Sequence, residues 1–321
     1  MAWQEVAADK KNRIANSIPP EWRITSLPSD SNVMGYPKTS GILSDEELHI
    51  TESSATDLVA KLAAGNLTSV AVTTAFLKRA ALAHQLVNCA LEFFSDIALA
   101  RARELDSHYE KTGKTVGPLH GLPISLKDQC HIKVSIVADA LEPKADNSIQ
   151  GLETSMGYVS WLGKYATEDS VIVTLLYKAG AILYVKTSVP QSLMICETIN
   201  NVIGRTLNPW NKNLSPGGSS GGEGAMIGFR GGVIGVGTDL GMPQENRIGT
   251  ILSSHRWQYS SSGGLQFSIR PPSLAWKITV CKNGKVSFEQ SPRNPLTAPS
   301  SMEGQETVPS VCGPLAHSVK G

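Results

Sequence analysis

The chain has 321 residues, of which 41% are hydrophobic and 18% charged, with a net charge of +1. That is the balance of a soluble globular chain, with no basic surplus to suggest a nucleic-acid partner and no apolar run near the roughly 20 residues of a membrane helix. Five cysteines without a Cys-x-x-Cys, and seven scattered histidines without His-Glu-x-x-His, speak against a disulfide frame and a metal site. With an N-terminus that lacks an apolar signal core, they predict a reduced, cytoplasmic protein.

In chain order, residues 1–50 read as an irregular N-terminal arm, cut by Pro19, Pro20, Pro28 and Pro37. A helix is predicted from Ser54 to about Ala64, with Asp57 three residues after a Ser cap and Gly65-Asn66 as the stop. Thr68 caps a second helix whose apolar face is Val70, Val72, Phe76, Leu77, Ala80 and Leu82. A third runs from about Ile97 to Tyr109 and ends at Gly113. Leu122 to Leu126 reads as a buried strand that delivers Lys127. The general expectation for a lysine there is a side chain snorkelling to solvent. Residues 169–179 form a helix with Asp169 as a candidate cap, and 181–186 a strand. Glu223 to Ile227 starts another helix, and Val233 to Val236 another strand. Helices alternating with apolar strands predict an α/β layered architecture.

The most informative stretch is Leu214-Ser-Pro-Gly-Gly-Ser-Ser-Gly-Gly-Glu-Gly-Ala, followed by Gly235-Val-Gly-Thr-Asp-Leu-Gly241. Glycines there let the backbone turn tightly and aim N–H groups at a developing negative charge. No Gly-Lys-Ser/Thr follows, so a phosphate loop is disfavoured. Centred on Ser219 or Ser220 the stretch also fits Gly-x-Ser-x-Gly, the nucleophile elbow of α/β-hydrolases. A serine esterase is therefore one reading, for which His255 and His317 are the histidines later in the chain.

These two segments together resemble the amidase signature family, in its fungal acetamidase-like branch. Glu21-Trp-Arg-Ile24, Pro118-Leu-His-Gly-Leu-Pro-Ile-Ser-Leu-Lys-Asp-Gln129, Lys186-Thr-Ser-Val-Pro-Gln191 and Gly204-Arg-Thr-Leu-Asn-Pro209 fit the same family in order. The resemblance implies a mixed β-sheet core flanked by helices. It implies hydrolysis of a small carboxamide through a Lys–Ser–Ser triad without a cofactor. Residue by residue, it makes Lys127 the base, kept neutral by burial, and Ser219 the relay serine, held in a cis peptide. Gly217, Gly218, Ser220, Asp239, Leu240 and Gly241 fall in the substrate and oxyanion loop, with Asp239 as a loop-holding acid.

The third member of the triad is missing. The family places its nucleophile twenty-four positions after the relay serine, and position 243 is Pro; a shift of two residues offers Glu245 instead. Pro243 also lacks the N–H that this position lends to an oxyanion hole. Ser253 and Ser254 lie outside any matching context. Residues 51–133 and 151–241 carry the family-like core. Residues 134–150 interrupt it, as a surface-loop insertion or a translated intron. Residues 242–299 diverge, and 300–321 match again. The expectation is one amidase domain over 1–321, truncated at its C-terminal side, which binds a small amide, is impaired in catalysis and self-associates through an uncovered sheet edge. A catalytically dead amide-binding protein, or a defective gene product, is the competing class.

Overall fold

The computed structural model describes residues 2–133 and 152–239, together with the backbone of four later strands at 266–269, 276–280, 286–288 and 311–316. The N-terminal fifty residues are more regular than their pattern predicts. Helix α1 (Trp3–Asn16) buries Ala7, Lys10 and Ile14 along one face. Its apolar period is hidden because a lysine occupies one buried slot. Helix α2 (Tyr36–Thr39) carries Pro37 in its first turn, where a missing N–H costs nothing, so this proline starts a helix instead of breaking one. Helix α3 (Asp45–Glu52) begins at a capping box: Ser44 Oγ accepts from Glu47 N, and the Glu47 carboxylate accepts from Ser44 N.

The predicted helices then follow, and the caps sit where the local signals put them. Helix α4 (Ala55–Ala63) is capped by Ser54, which accepts from Asp57 N, and Gly65 follows it with φ +71°. Helix α5 (Ser69–Val87) is capped by Thr68 and further by the Asp106 carboxylate, which accepts from Ser69 N and Val70 N. Strand β1 (Ala90–Phe93) leads into helix α6 (Ser95–Thr112), closed by Gly113 in the left-handed region. Strand β2 is Pro123–Lys127. Helix α7 spans Val171–Lys178, with Ser170 and not Asp169 at its N-cap position; the Asp169 carboxylate accepts from Lys133 N instead, at 2.6 Å. Strand β3 (Ile182–Thr187) and the two-residue strands β4 (Ile199–Asn200) and β5 (Gly204–Arg205) come next. Helix α8 (Gly221–Gly228) precedes strand β6 (Ile234–Asp239).

The main sheet has the order β1-β3-β2-β6-β10, with β10 at Val311–Ala316. Strand β2 pairs in parallel with both β3 and β6, while β1 and β10 add antiparallel edges. Strands β7 (Gln266–Ile269), β8 (Trp276–Val280) and β9 (Val286–Phe288) form a separate antiparallel sheet, and β4 and β5 form a short ribbon. This is the mixed, helix-flanked α/β sheet that the alternating helices and strands predict. Every residue of β2 and β3 is buried, as expected of central parallel strands covered on both faces.

The alternation along β2 positions the site. Leu122, Ile124 and Leu126 enter an apolar cluster with Leu58, Phe76 and Leu183. Ser125 and Lys127 therefore point to the opposite face, where Ser125 Oγ meets Glu223 of α8. One strand thus presents hydrocarbon to the core and two polar groups to the helix that follows the glycine loop.

Candidate active site

Lys127 ends β2 and is 0% exposed, so the snorkelling expected of an arbitrary strand-end lysine does not occur. Its Nζ lies 2.7 Å from Ser219 Oγ and donates to the Thr238 carbonyl oxygen at 3.2 Å and to Thr238 Oγ1 at 2.7 Å. Thr238 comes from β6, the parallel neighbour of β2, and its hydroxyl donates to Gln129 Oε1 at 3.0 Å. Ser219, Thr238 and Gln129 are half-buried around the fully buried lysine.

The glycine loop is fixed by its neighbours. Gly217 has φ +86°, its N–H donates to Ser215 Oγ, and its carbonyl accepts from the buried Thr198 hydroxyl at 2.7 Å. The Gly218–Ser219 peptide bond is cis. Ser220 stands at the N-cap position of α8. Its hydroxyl donates to the Thr238 carbonyl and accepts from Thr238 N, both at 3.2 Å, which ties the start of the helix to β6. Among the described residues, 214–220 contain no strand, so the strand–turn–helix of a nucleophile elbow is not formed around Ser219 or Ser220.

Gly222, in the first turn of α8, shows why the start of this helix needs glycine. Its N–H donates to the Ser188 carbonyl at 3.0 Å, and a Cβ at this position would strike the Ser188 backbone at both N and O. Backbone atoms cannot rotate away as a side chain would. Gly222→Ala should therefore cost about 1–3 kcal/mol, read as a lowered midpoint in chemical unfolding. An unchanged midpoint would show that α8 can slide.

Glu223, in the first turn of α8, is 0% exposed. Its carboxyl accepts from Ser125 Oγ at 2.7 Å and Thr187 Oγ1 at 2.9 Å. Burial pushes its pKa up to about 7, opposed by those two hydrogen bonds and by the nearby Lys127 charge. Asp128 serves the backbone instead. Its Oδ2 accepts from the N–H groups of Ser155 and Met156, which holds the 152–157 loop against the end of β2.

The structure thus brings Lys127, Ser219, Ser220, Gly217 and Gly218 into one place. Asp239 closes β6 opposite Val311 of β10. Its side chain, and the predicted positions Leu240, Gly241 and Pro243, lie outside the described residues, as do Glu245, Ser253, Ser254, His255, His317 and the 134–150 insertion. Thr238, Gln129, Glu223 and Thr198 were not singled out from sequence as site residues. The first three lie inside motifs that the sequence displays, but the resemblance assigns them no role; Thr198 lies outside them all.

The amidase family model matches residues 71–138 and 143–242, which include Lys127, Ser219 and Thr238. The chain belongs to the amidase family. The gap in this amidase match falls inside the 134–150 segment, and the match stops where 242–299 begins. Among similar amidases, the acetamidase of Emericella nidulans is 54% identical over 319 residues, covering 99% of this chain and 50% of that protein. The acetamidase of Aspergillus oryzae is 52% identical with the same coverage. A solved fatty acid amide hydrolase superposes with a TM-score of 0.73 at 37% identity, covering 99% of this chain and 49% of that one. The chain therefore spans about half the length of the curated relatives it matches. Among the described residues, no helix of this amidase is long and apolar enough to cross a membrane, and no three His, Cys, Asp or Glu side chains gather as metal ligands would.

Proposed function

We infer that this site is built to hydrolyse a small carboxamide to carboxylate and ammonia, with Lys127 as base and Ser219 as proton relay. One observation carries the reading: Lys127 Nζ, buried at the end of β2, lies 2.7 Å from Ser219 Oγ in the glycine loop. A serine hydroxyl can pass its proton to an amine at that distance while it takes one from an attacking hydroxyl. The Gly217–Gly218 backbone, pinned by Thr198, would supply the substrate and oxyanion loop in this reading. Similarity to acetamidases favours a short acyl group over a long one. No cofactor enters this chemistry.

The reading also holds that chain 1–321 is impaired. Pro243 stands where the attacking serine belongs and offers no N–H to an oxyanion. Loss of one oxyanion donor costs about 10²–10³ in rate, and loss of a nucleophile costs more. Purified protein should therefore release ammonia from acetamide at close to the rate of Lys127→Ala, while still binding a carboxamide in the glycine loop. Robust turnover that Lys127→Ala abolishes would keep the relay and overturn the impairment. Ser220, Ser253 and Ser254 would then be the first positions to substitute. Turnover that ignores Lys127 would overturn the relay itself.

A further inference from the structure

We propose that Gln129 is a positioning residue that aims the Lys127 amine at Ser219 by fixing the direction of the Thr238 hydroxyl. The proposal rests on the Lys127–Ser219 relay described above and adds a group that touches neither serine. A hydroxyl has one hydrogen to give and two lone pairs to accept with. Gln129 Oε1 is an acceptor, so the Thr238 hydroxyl gives its hydrogen to Gln129, at 3.0 Å. Thr238 Oγ1 then faces Lys127 Nζ, 2.7 Å away, as an acceptor. The Thr238 carbonyl oxygen, also on Nζ at 3.2 Å, accepts by nature. As an ammonium, Lys127 donates to Ser219 Oγ and to both Thr238 oxygens; once it gives up a proton to act as base, the amine has two hydrogens and one lone pair. With its hydrogens directed to the two oxygens of Thr238, the lone pair turns toward Ser219 Oγ, and the Ser219 hydrogen moves onto nitrogen as the serine oxygen takes one from an attacking hydroxyl.

Without the Gln129 acceptor, the Thr238 hydroxyl can turn its hydrogen onto the Lys127 lone pair and compete with Ser219 for it. The geometry suits this role. Gln129 lies two residues beyond Lys127, in the turn that ends β2, and Thr238 is on the adjacent strand β6. The carboxamide reaches across that gap from a half-buried position, without packing into the apolar core.

The test uses the whole chain in two measurements. Nitrogen-15 NMR of lysine-labelled protein follows the Lys127 Nζ resonance, assigned by its loss in Lys127→Ala. The rate at which a small fluorophosphonate labels Ser219, located by mass spectrometry, follows the relay. Gln129→Met keeps the side-chain length and removes the acceptor. It should shift the Lys127 resonance and slow labelling about tenfold, the scale of one hydrogen bond. In a Thr238→Val background, which has no hydroxyl to misdirect, Gln129→Met should change neither reading. Gln129→Ala, which removes the same acceptor with fewer atoms, should repeat the pattern. An unshifted Lys127 resonance in Gln129→Met, or an equal effect with and without the Thr238 hydroxyl, overturns the proposal. The relay fails separately if Ser219 is labelled no faster than in Lys127→Ala while the resonance still responds to Gln129 through Thr238. In that case the positioning role stands without the proton transfer it was inferred to serve.

Discussion

Lys10→Met should destabilise the protein by about 3–5 kcal/mol at pH 8, the cost of removing one partner from a buried ion pair. Lys10 is 2% exposed and its Nζ is shared between Glu92 and Glu153, the latter at 2.6 Å. Arg13 and the Gly163 N–H also hold Glu153, at 3.1 and 2.8 Å, so that carboxylate keeps partners when Lys10 is lost. Glu92 has less. Burial already raises its pKa, with Lys10 the main opposing influence. Without Lys10 the Glu92 carboxyl should take up a proton more readily. The sign follows: a carboxyl raised further in the folded state adds stability at low pH that is lost as pH rises. The deficit of Lys10→Met should therefore be larger at pH 8 than at pH 5, and Lys10→Met with Glu92→Gln should recover part of it. Urea unfolding at the two pH values measures this. A loss below about 1 kcal/mol at both would mean that the pair contributes little beyond what methionine packing replaces.

The second large effect concerns Glu223. Its folded pKa is about 7 against an ordinary 4.5, with burial as the cause. Between those values the folded protein holds a proton that the unfolded chain has released, so stability falls as pH rises through this window. The gap corresponds to about 3 kcal/mol at most. Glu223→Gln keeps the shape and offers a neutral group to Ser125 and Thr187, so it should remove this fall. The variant should match the parent near pH 4.5 and be more stable at pH 8. Parallel stability curves for parent and variant from pH 4.5 to 8.5 would show that Glu223 stays charged in its pocket, held by Ser125, Thr187 and Lys127.

Neither Lys10 nor Glu223 could be read in advance as a buried charge, whereas local signals were legible. Ser54, Thr68 and Gly113 act within a turn of themselves, and their caps form as expected. The buried strand that delivers Lys127 was legible for the same reason: a run from Leu122 to Leu126 has few other places to go. Helix α1 was not, because Lys10 is buried by carboxylates far along the chain, and no local pattern marks a lysine as an interior residue. Asp169 illustrates a smaller failure. Neither Asp169 nor Ser170 caps α7 with its side chain: the Asp169 carboxylate accepts from Lys133 N and the Ser170 hydroxyl from His131 N. The site itself was legible in its motif residues and opaque in its supports. Thr238 and Gln129 gain their roles only when β6 lies beside β2, and Glu223 only when α8 crosses the polar face of that strand.

The separations in this network also bear on synthesis. Lys10 meets Glu153 across 143 positions, and Lys127 meets Thr238 across 111. During translation the first helix leaves the ribosome well before the acid that seats it. Until residue 153 has emerged, Lys10 has Glu92 but not the second carboxylate that completes its seat. The central strand waits in the same way, with Lys127 exposed until the segment through Thr238 is out. Early domains usually fold from the N-terminus as they appear. Here the seat of α1 is completed only when Glu153 has been made, and the surroundings of Lys127 only when Thr238 has.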